Sequence, residues 1–359
     1  LKGSTSRNIA LHIAFRCTPE RMAVGALRYC WRQLAACAEA PAARSSHSVV
    51  ALGGGSVCVF GGENAPRNAF DSRVHILRPD GTWAPSPADP VPGGPVLGHG
   101  AAGLGSKLYI FGGRTGGANT FSGTATSGET GELLVFDEAL GCWEGPLPSG
   151  GLRPEPRSFH AMCAAGGSED GYIYLFGGCG ASGRLNDLWR LDPREGTWRC
   201  LHAGGVGADD APLPRGGAGL VASADGSRLV LLFGFSGAQQ GDIAVFDLAL
   251  GRWRLHPWEE QLGQVPAPRS VFAAAPLAGP GADEAIVFGG ERVASDLGHE
   301  GAGKFAADLH ALDLESLRWR ALEAEGEAPL ARGWGGMAPW GSGRLLLFGG
   351  LDTENTRLG

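Results

Sequence analysis

The chain has 359 residues, 43% of them hydrophobic, with 61 Gly, 23 Pro and a formal net charge of −7. That apolar content supports a buried core and excludes a disordered chain, while mixed charge without a basic run lacks the footprint that phosphate backbones require, so nucleic acid is not an expected partner. No apolar stretch approaches the roughly 20 residues that cross a bilayer, and no membrane partner is expected.

Near the start, a short apolar patch between Arg7 and Arg16 does not follow the layout of a secretory signal. The eight cysteines are scattered, with no C-x-x-C pair and no zinc spacing, and read as reduced thiols. Together these features predict a cytoplasmic protein. Residues 1–28 are left unassigned, and residues 29–359 are read as one repeat domain.

The repeat is an apolar run ending in Phe-Gly-Gly or nearly so. It recurs at Val57–Gly62, Leu108–Gly113, Ile173–Gly178, Leu229–Gly234, Ala285–Gly290 and Leu345–Gly350. After five of these come a second run and a tryptophan: Val74–Leu77 with Trp83, Leu133–Phe136 with Trp143, Leu188–Leu191 with Trp198, Ile243–Phe246 with Trp253, and Leu309–Leu312 with Trp319. Paired glycines permit positive φ and close backbone approach, and the tryptophan offers a large surface to bury between stacked sheets. Asp137, Asp192, Asp247 and Asp313, each ahead of a Trp-bearing strand, read as turn formers. Repeats open with Arg-led segments such as Arg44-Ser-Ser-His47, Arg157-Ser-Phe-His160, Arg269-Ser-Val-Phe272 and Arg332-Gly-Trp-Gly335.

These residues resemble the Kelch family, and the resemblance implies an all-β, six-bladed Kelch β-propeller. Trp31–Leu34 reads as an outer strand without a blade of its own, so an N-terminal strand is expected to close the ring by completing the blade begun at Arg332. The segment after Gly350 stops where other repeats begin a third strand, which predicts truncation at the C-terminus.

Among the loops after Gly-Gly, the fifth is the most chemically loaded, with Glu291, Asp296 and His299 within nine residues. Two carboxylates and an imidazole suit a ferrous ion with open positions for substrate, and the alternative reading is a solvated polar loop. A narrower resemblance, from about Trp31 to Gly359, is to the nitrile-specifier and thiocyanate-forming Kelch proteins of plants. It implies Fe(II) held on Glu-x-x-x-Asp-x-x-x-His and a small, anionic, sulfur-containing substrate akin to a glucosinolate aglycone, steered towards nitrile-type products. Glu291 and His299 match that spacing, but Ser295 stands at the Asp position and the carboxylate falls one residue later, at Asp296. The same resemblance implies that Arg114 and Arg184 bind the substrate's sulfate, a role that suits a guanidinium fork. A rim salt bridge is the alternative for both. His47 and His160 are explained by the repeat rather than by acid-base chemistry. The second functional reading is a non-catalytic propeller that binds a protein partner.

Overall fold

The computed structural model describes residues 11–16, 28–35, 37–86, 90–115, 128–144, 151–168, 170–205, 211–279, 282–296, 301–341 and 343–359. Among them the single helical element is the 3-10 turn Trp258–Glu260; the rest is strand and turn.

Five blades each come from one continuous stretch of chain, as four antiparallel strands in sequence order. The first is Ser48–Ala51, Val57–Phe60, Val74–Leu77 and Trp83–Pro85; the second is Gly100–Leu104, Lys107–Phe111, Leu133–Asp137 and Cys142–Glu144. The third is Ala161–Ala165, Tyr172–Gly180, Gly183–Asp192 and Thr197–His202; the fourth is Gly219–Ala222, Arg228–Phe235, Gln239–Asp247 and Arg252–His256. The fifth is Ala273–Gly279, Ala282–Phe288, Leu309–Asp313 and Arg318–Ala321, with Leu262–Gly263 added in parallel on its outer edge. Second strands are apolar at successive positions, as in the fully buried Val57–Phe60, because neighbouring blades cover both of their faces.

The structure shows five such blades rather than the six expected, and the sixth repeat is the one that differs. It supplies only Gly336–Pro339 and Arg344–Phe348, because the chain then folds back: Leu351 bridges both Gly333 and Arg357. The place of the missing third strand is taken by Leu11–Arg16, with Leu11 opposite Leu347 and Ala14 opposite Arg344. Arg28–Gln33 pairs outside it, and Ala324–Glu325 adds in parallel at the edge. The architecture is therefore five single-stretch blades and one composite sheet, and the unassigned N-terminal segment contributes a strand.

Six first strands face the axis. At their entrances the backbone makes a cycle: Gly98 N–H donates to Ser46 O, Phe159 to Gly98, Gly217 to Phe159, Val271 to Gly217, Trp334 to Val271, and Ser46 back to Trp334, at 2.6 to 2.9 Å. All six residues lie at positive φ, from 47° to 63°. At the Phe-Gly-Gly turns a side chain on Gly61 would come within 2.6 Å of Val96 O, and one on Gly62 within 2.6 Å of Ser45 O, so glycine is required sterically. The fourth repeat has Phe233 at the first of these positions, at φ 51°, where its ring stacks on Trp319 at 5.4 Å.

The recurring tryptophans pack as expected, each on the Phe of the sheet before it. Trp143 meets Phe60, Trp198 meets Phe111, Trp253 meets Phe176, and Trp83 meets Phe348, at ring centroids 5.3 to 5.8 Å apart. The turn aspartates also behave as expected: Asp137, Asp192, Asp247 and Asp313 each accept a backbone N–H two residues on.

Candidate functional site

The residue after each of the five Gly-Gly pairs, and after Phe233-Gly234 in the fourth repeat, emerges at one mouth of the axis, which gives that mouth Glu63, Arg114, Cys179, Phe235, Glu291 and Leu351. Each is tied to the start of its own repeat, as Glu63 to Ser45, Cys179 to Ser158 and Glu291 to Ser270. Strand pairing therefore positions six unlike side chains around a rigid opening. Phe159 and Trp334, carried on the axial turns, meet edge to face at 5.3 Å and line both cavities of the mouth.

The larger cavity, about 200 Å³, is lined by Arg184, Cys179, Phe235, Glu291 and Ser295 besides the two aromatics. Glu291 is buried, with its carboxylate accepting from Gln239 Nε2 at 3.4 Å and from the Ser295 backbone. Burial pushes its carboxyl above the ordinary range, and these two hydrogen bonds offset part of that rise. Arg184 is exposed, and its guanidinium lies 4.7 Å from the centroid of Phe235, which presents it to the cavity as a flat cation.

The smaller cavity, about 70 Å³, is lined by Glu63, Arg67, Arg114, Thr115 and Leu351. Arg114 Nε is 3.6 Å from Glu129 Oε1, a partly exposed ion pair. Glu63 is buried and accepts from Ser45 and Ser46 hydroxyls, the Arg67 N–H and Arg357 Nη2. The two sequence-predicted arginines thus share one mouth but line different cavities, and only Arg184 faces Glu291.

Among the described residues no three His, Cys, Asp or Glu side chains group as a metal shell. Glu291 points into the larger cavity, Ser295 spends its N–H on that carboxylate, and Asp296 is exposed. His299 lies outside the described residues. One of the three expected ligands is therefore seen facing the cavity.

Behind the aromatic pair lie His47, His99 and His160, all buried. His47 Nε2 is 3.1 Å from Phe348 O, His99 Nε2 is 3.0 Å from Ser48 Oγ, and Gly100 N–H donates to His160 Nε2 at 3.1 Å. Desolvation depresses their basicity, to about 3 for His47 and His99 and well below the ordinary value for His160. They are neutral blade-to-blade contacts, in agreement with the structural reading of His47 and His160.

Sequence reasoning missed the acidic half of a recurring clamp. Arg44, Arg157, Arg215 and Arg269 are buried and end on Asp71, Asp187, Asp242 and Asp308 at 2.6 to 2.7 Å. The repeated arginine was visible, and the signal that could have found its partner was an Asp one to three residues ahead of the second apolar run in four of the repeats: Asp71, Asp187, Asp242 and Asp308.

Fold and mouth define an all-β propeller with a ligand-sized, mixed-charge axial opening. The chain belongs to the Kelch-repeat family described as the KLHDC2/KLHL20/DRC7 Kelch-repeats domain, which matches residues 22–168 and 119–290. It is 29% identical to the N-(sulfonatooxy)prop-2-enimidothioate sulfolyase of Thlaspi arvense, over 89% of this chain and 91% of that protein. It is 26% identical to Kelch domain-containing protein 2 of Bos taurus over 63% of this chain and 56% of that one. With Kelch domain-containing protein 3 of Homo sapiens the identity is 32%, over 49% of this chain and 44% of the relative. The chain thus spans about half the length of these two Kelch domain-containing relatives. Among the described residues no helix is long and apolar enough to cross a membrane.

Proposed function

We propose that the mouth is a small-anion site and that the chain is a specifier-like Kelch protein, steering a sulfated, sulfur-containing compound towards nitrile-type products. The observation that carries this reading is that Arg184 and Glu291, from different blades, line one cavity of about 200 Å³ with Phe159, Phe235 and Trp334. A guanidinium can bind the sulfate, the aromatic rings can exclude water from the sulfur-bearing part, and Glu291 can hold or donate a proton there. The near full-length likeness to a sulfolyase supports the substrate class. The resemblance brings Fe(II) into the proposal, with Glu291, which lines the larger cavity, as one carboxylate and Asp296 and His299 as the residues that would join it. Bound there it would supply a Lewis acid beside the sulfur.

The proposed unit is a six-bladed ring closed by the N-terminal strands, starting at Leu11 rather than at residue 29. The pairing of Leu11–Arg16 with Arg344–Phe348 supports that closure. A reducing, cytoplasmic setting is supported by the described cysteines, all of them free. A test is product analysis during breakdown of N-(sulfonatooxy)prop-2-enimidothioate. A shift towards nitrile, epithionitrile or thiocyanate that Arg184→Gln removes supports the reading, and unchanged products with the folded chain overturn it.

A second reading, a protein-interaction propeller without catalysis, is favoured by Leu213 and Leu330. They are 52% and 61% exposed, two residues before the buried Arg215 and Arg332. Pull-down with Leu213→Asp/Leu330→Asp as control would separate it from the first.

A further inference from the structure

The buried arginines that open five of the repeats share two anchors. Nε donates to the carbonyl two residues back, as Arg157 to Glu155 O, and Nη1 to the carbonyl at the first position of the Gly-Gly turn, as Arg157 to Gly177 O and Arg269 to Gly289 O. In four of them the fork is completed by an aspartate beside the third strand. Those carboxylates sit at the surface, 14% to 41% exposed, although the guanidinium they neutralise is buried.

Arg332 breaks the pattern. It is 5% exposed and keeps both anchors, to Leu330 O at 3.1 Å and Gly349 O at 3.0 Å, but no carboxylate reaches it among the described residues. Asp352 acts on it only at longer range, with its Oδ1 occupied by the N–H groups of Glu354 and Thr356. The third strand of this sheet is Leu11–Arg16, and residues 1–10 ahead of it, LKGSTSRNIA, contain no Asp or Glu. Burial without an acidic partner lowers the Arg332 guanidinium to about 10. A buried charge left unpaired is costly, and a forked donor suits an oxyanion.

We propose that Arg332 is an oxyanion site, where a phosphate, sulfate or carboxylate from solution takes the place that Asp187, Asp242 and Asp308 take in their own repeats. The site is separate from the mouth, since Arg332 lines neither mouth cavity. In the four clamped repeats the carboxylate that completes the fork is solvent-accessible, which is the access the proposal requires at Arg332. The guanidinium stays charged at neutral pH, so binding depends on the anion and not on protonation of the arginine.

The test is thermal unfolding of the full chain in phosphate, sulfate or acetate against chloride at constant ionic strength, for wild type, Arg184→Gln, and Arg184→Gln combined with Arg332→Met or Arg332→Lys. With the mouth's proposed anion site removed by Arg184→Gln, a saturable rise in Tm should remain, and combining Arg184→Gln with Arg332→Met should abolish it. Saturation by phosphate and sulfate alone assigns an inorganic oxyanion, and saturation by acetate assigns a carboxylate. If the combination with Arg332→Met does not fold, Arg332→Lys in the same background, which keeps the charge without the fork, should saturate only at higher anion concentration. An equal rise in Arg184→Gln with and without the Arg332 substitutions, or none in wild type, overturns the proposal. Loss of the effect in Arg184→Gln alone would instead place the ion in the mouth.

Discussion

The ring of Trp31 lies 5.2 Å from that of Phe288, edge to face, although 256 residues separate them in the chain. This is the contact that Trp143 makes with Phe60 and Trp198 with Phe111 inside the single-stretch part of the fold. Trp31 therefore supplies the tryptophan that the sixth repeat lacks, from the other end of the sequence.

From this, Trp31→Ala should destabilise the whole propeller and not only its N-terminal strand. Trp31 is 5% exposed and belongs to the same apolar cluster as Phe288, Met337 and Leu345. Truncating a buried tryptophan typically costs about 3 to 5 kcal/mol. Chemical denaturation followed by Trp fluorescence and by circular dichroism should give one coincident, earlier transition. A transition confined to one probe would show that the sheet of the two ends unfolds independently.

The Arg-Asp clamps predict a sign as well as a size. Asp187 accepts two bonds from Arg157 at 2.6 and 2.7 Å and one from Trp189 Nε1 at 2.6 Å. Asp187→Ala should cost about 3 to 5 kcal/mol, because it leaves a buried guanidinium unpaired. Arg157→Met combined with Asp187→Ala should cost less than Asp187→Ala by itself. A double-mutant cycle by urea denaturation checks this, and strict additivity would contradict it.

The three axial histidines predict loss of stability in acid. For His47 and His99 the folded value of about 3 lies below the unfolded value of about 6.5, so the unfolded chain binds the proton first. Their contribution is complete above pH 6.5 and is lost as pH falls towards 3, at up to about 1.4 kcal/mol per pH unit for each group. His160 acts in the same direction. Phe272 occupies the equivalent place in the fifth blade and packs on Phe233 at 5.4 Å, so His99→Phe is a conservative probe. It should flatten the decline of Tm between pH 6.5 and 4, and an unchanged slope would rule out His99 as a contributor.

Much of the fold was legible because it repeats. Phe-Gly-Gly and the following tryptophan mark positions where backbone conformation and inter-blade packing leave little choice, so Gly61, Gly62 and Trp143 could be read directly. The composite sheet was only half legible. Trp31 carried a tryptophan signal, but Leu11–Arg16 has neither a glycine pair nor a tryptophan, and its place is decided by pairing with Arg344–Phe348 across the chain. The mouth was harder still. Arg184 and Glu291 lie 107 positions apart and meet in one cavity because two separate repeats end at the same rim. Gln239, which hydrogen-bonds Glu291, had no motif to announce it.

Iron gives the final prediction. A carboxylate raised by burial is the one that gains most from a nearby cation, and Glu291 is such a group at the wall of the larger cavity. Anaerobic titration with Fe(II) should therefore show saturable binding that both Glu291→Gln and His299→Ala abolish. Ser295→Asp restores the carboxylate spacing of the plant proteins that the loop resembles, and should tighten binding. Asp296→Ala tests whether the displaced carboxylate serves instead: weaker binding in that variant makes Asp296 a ligand, and unchanged binding makes it a solvated loop residue. Absence of Fe(II) binding by the folded wild type would remove iron from the proposed function while leaving the anion role proposed for Arg184 to be judged by product analysis.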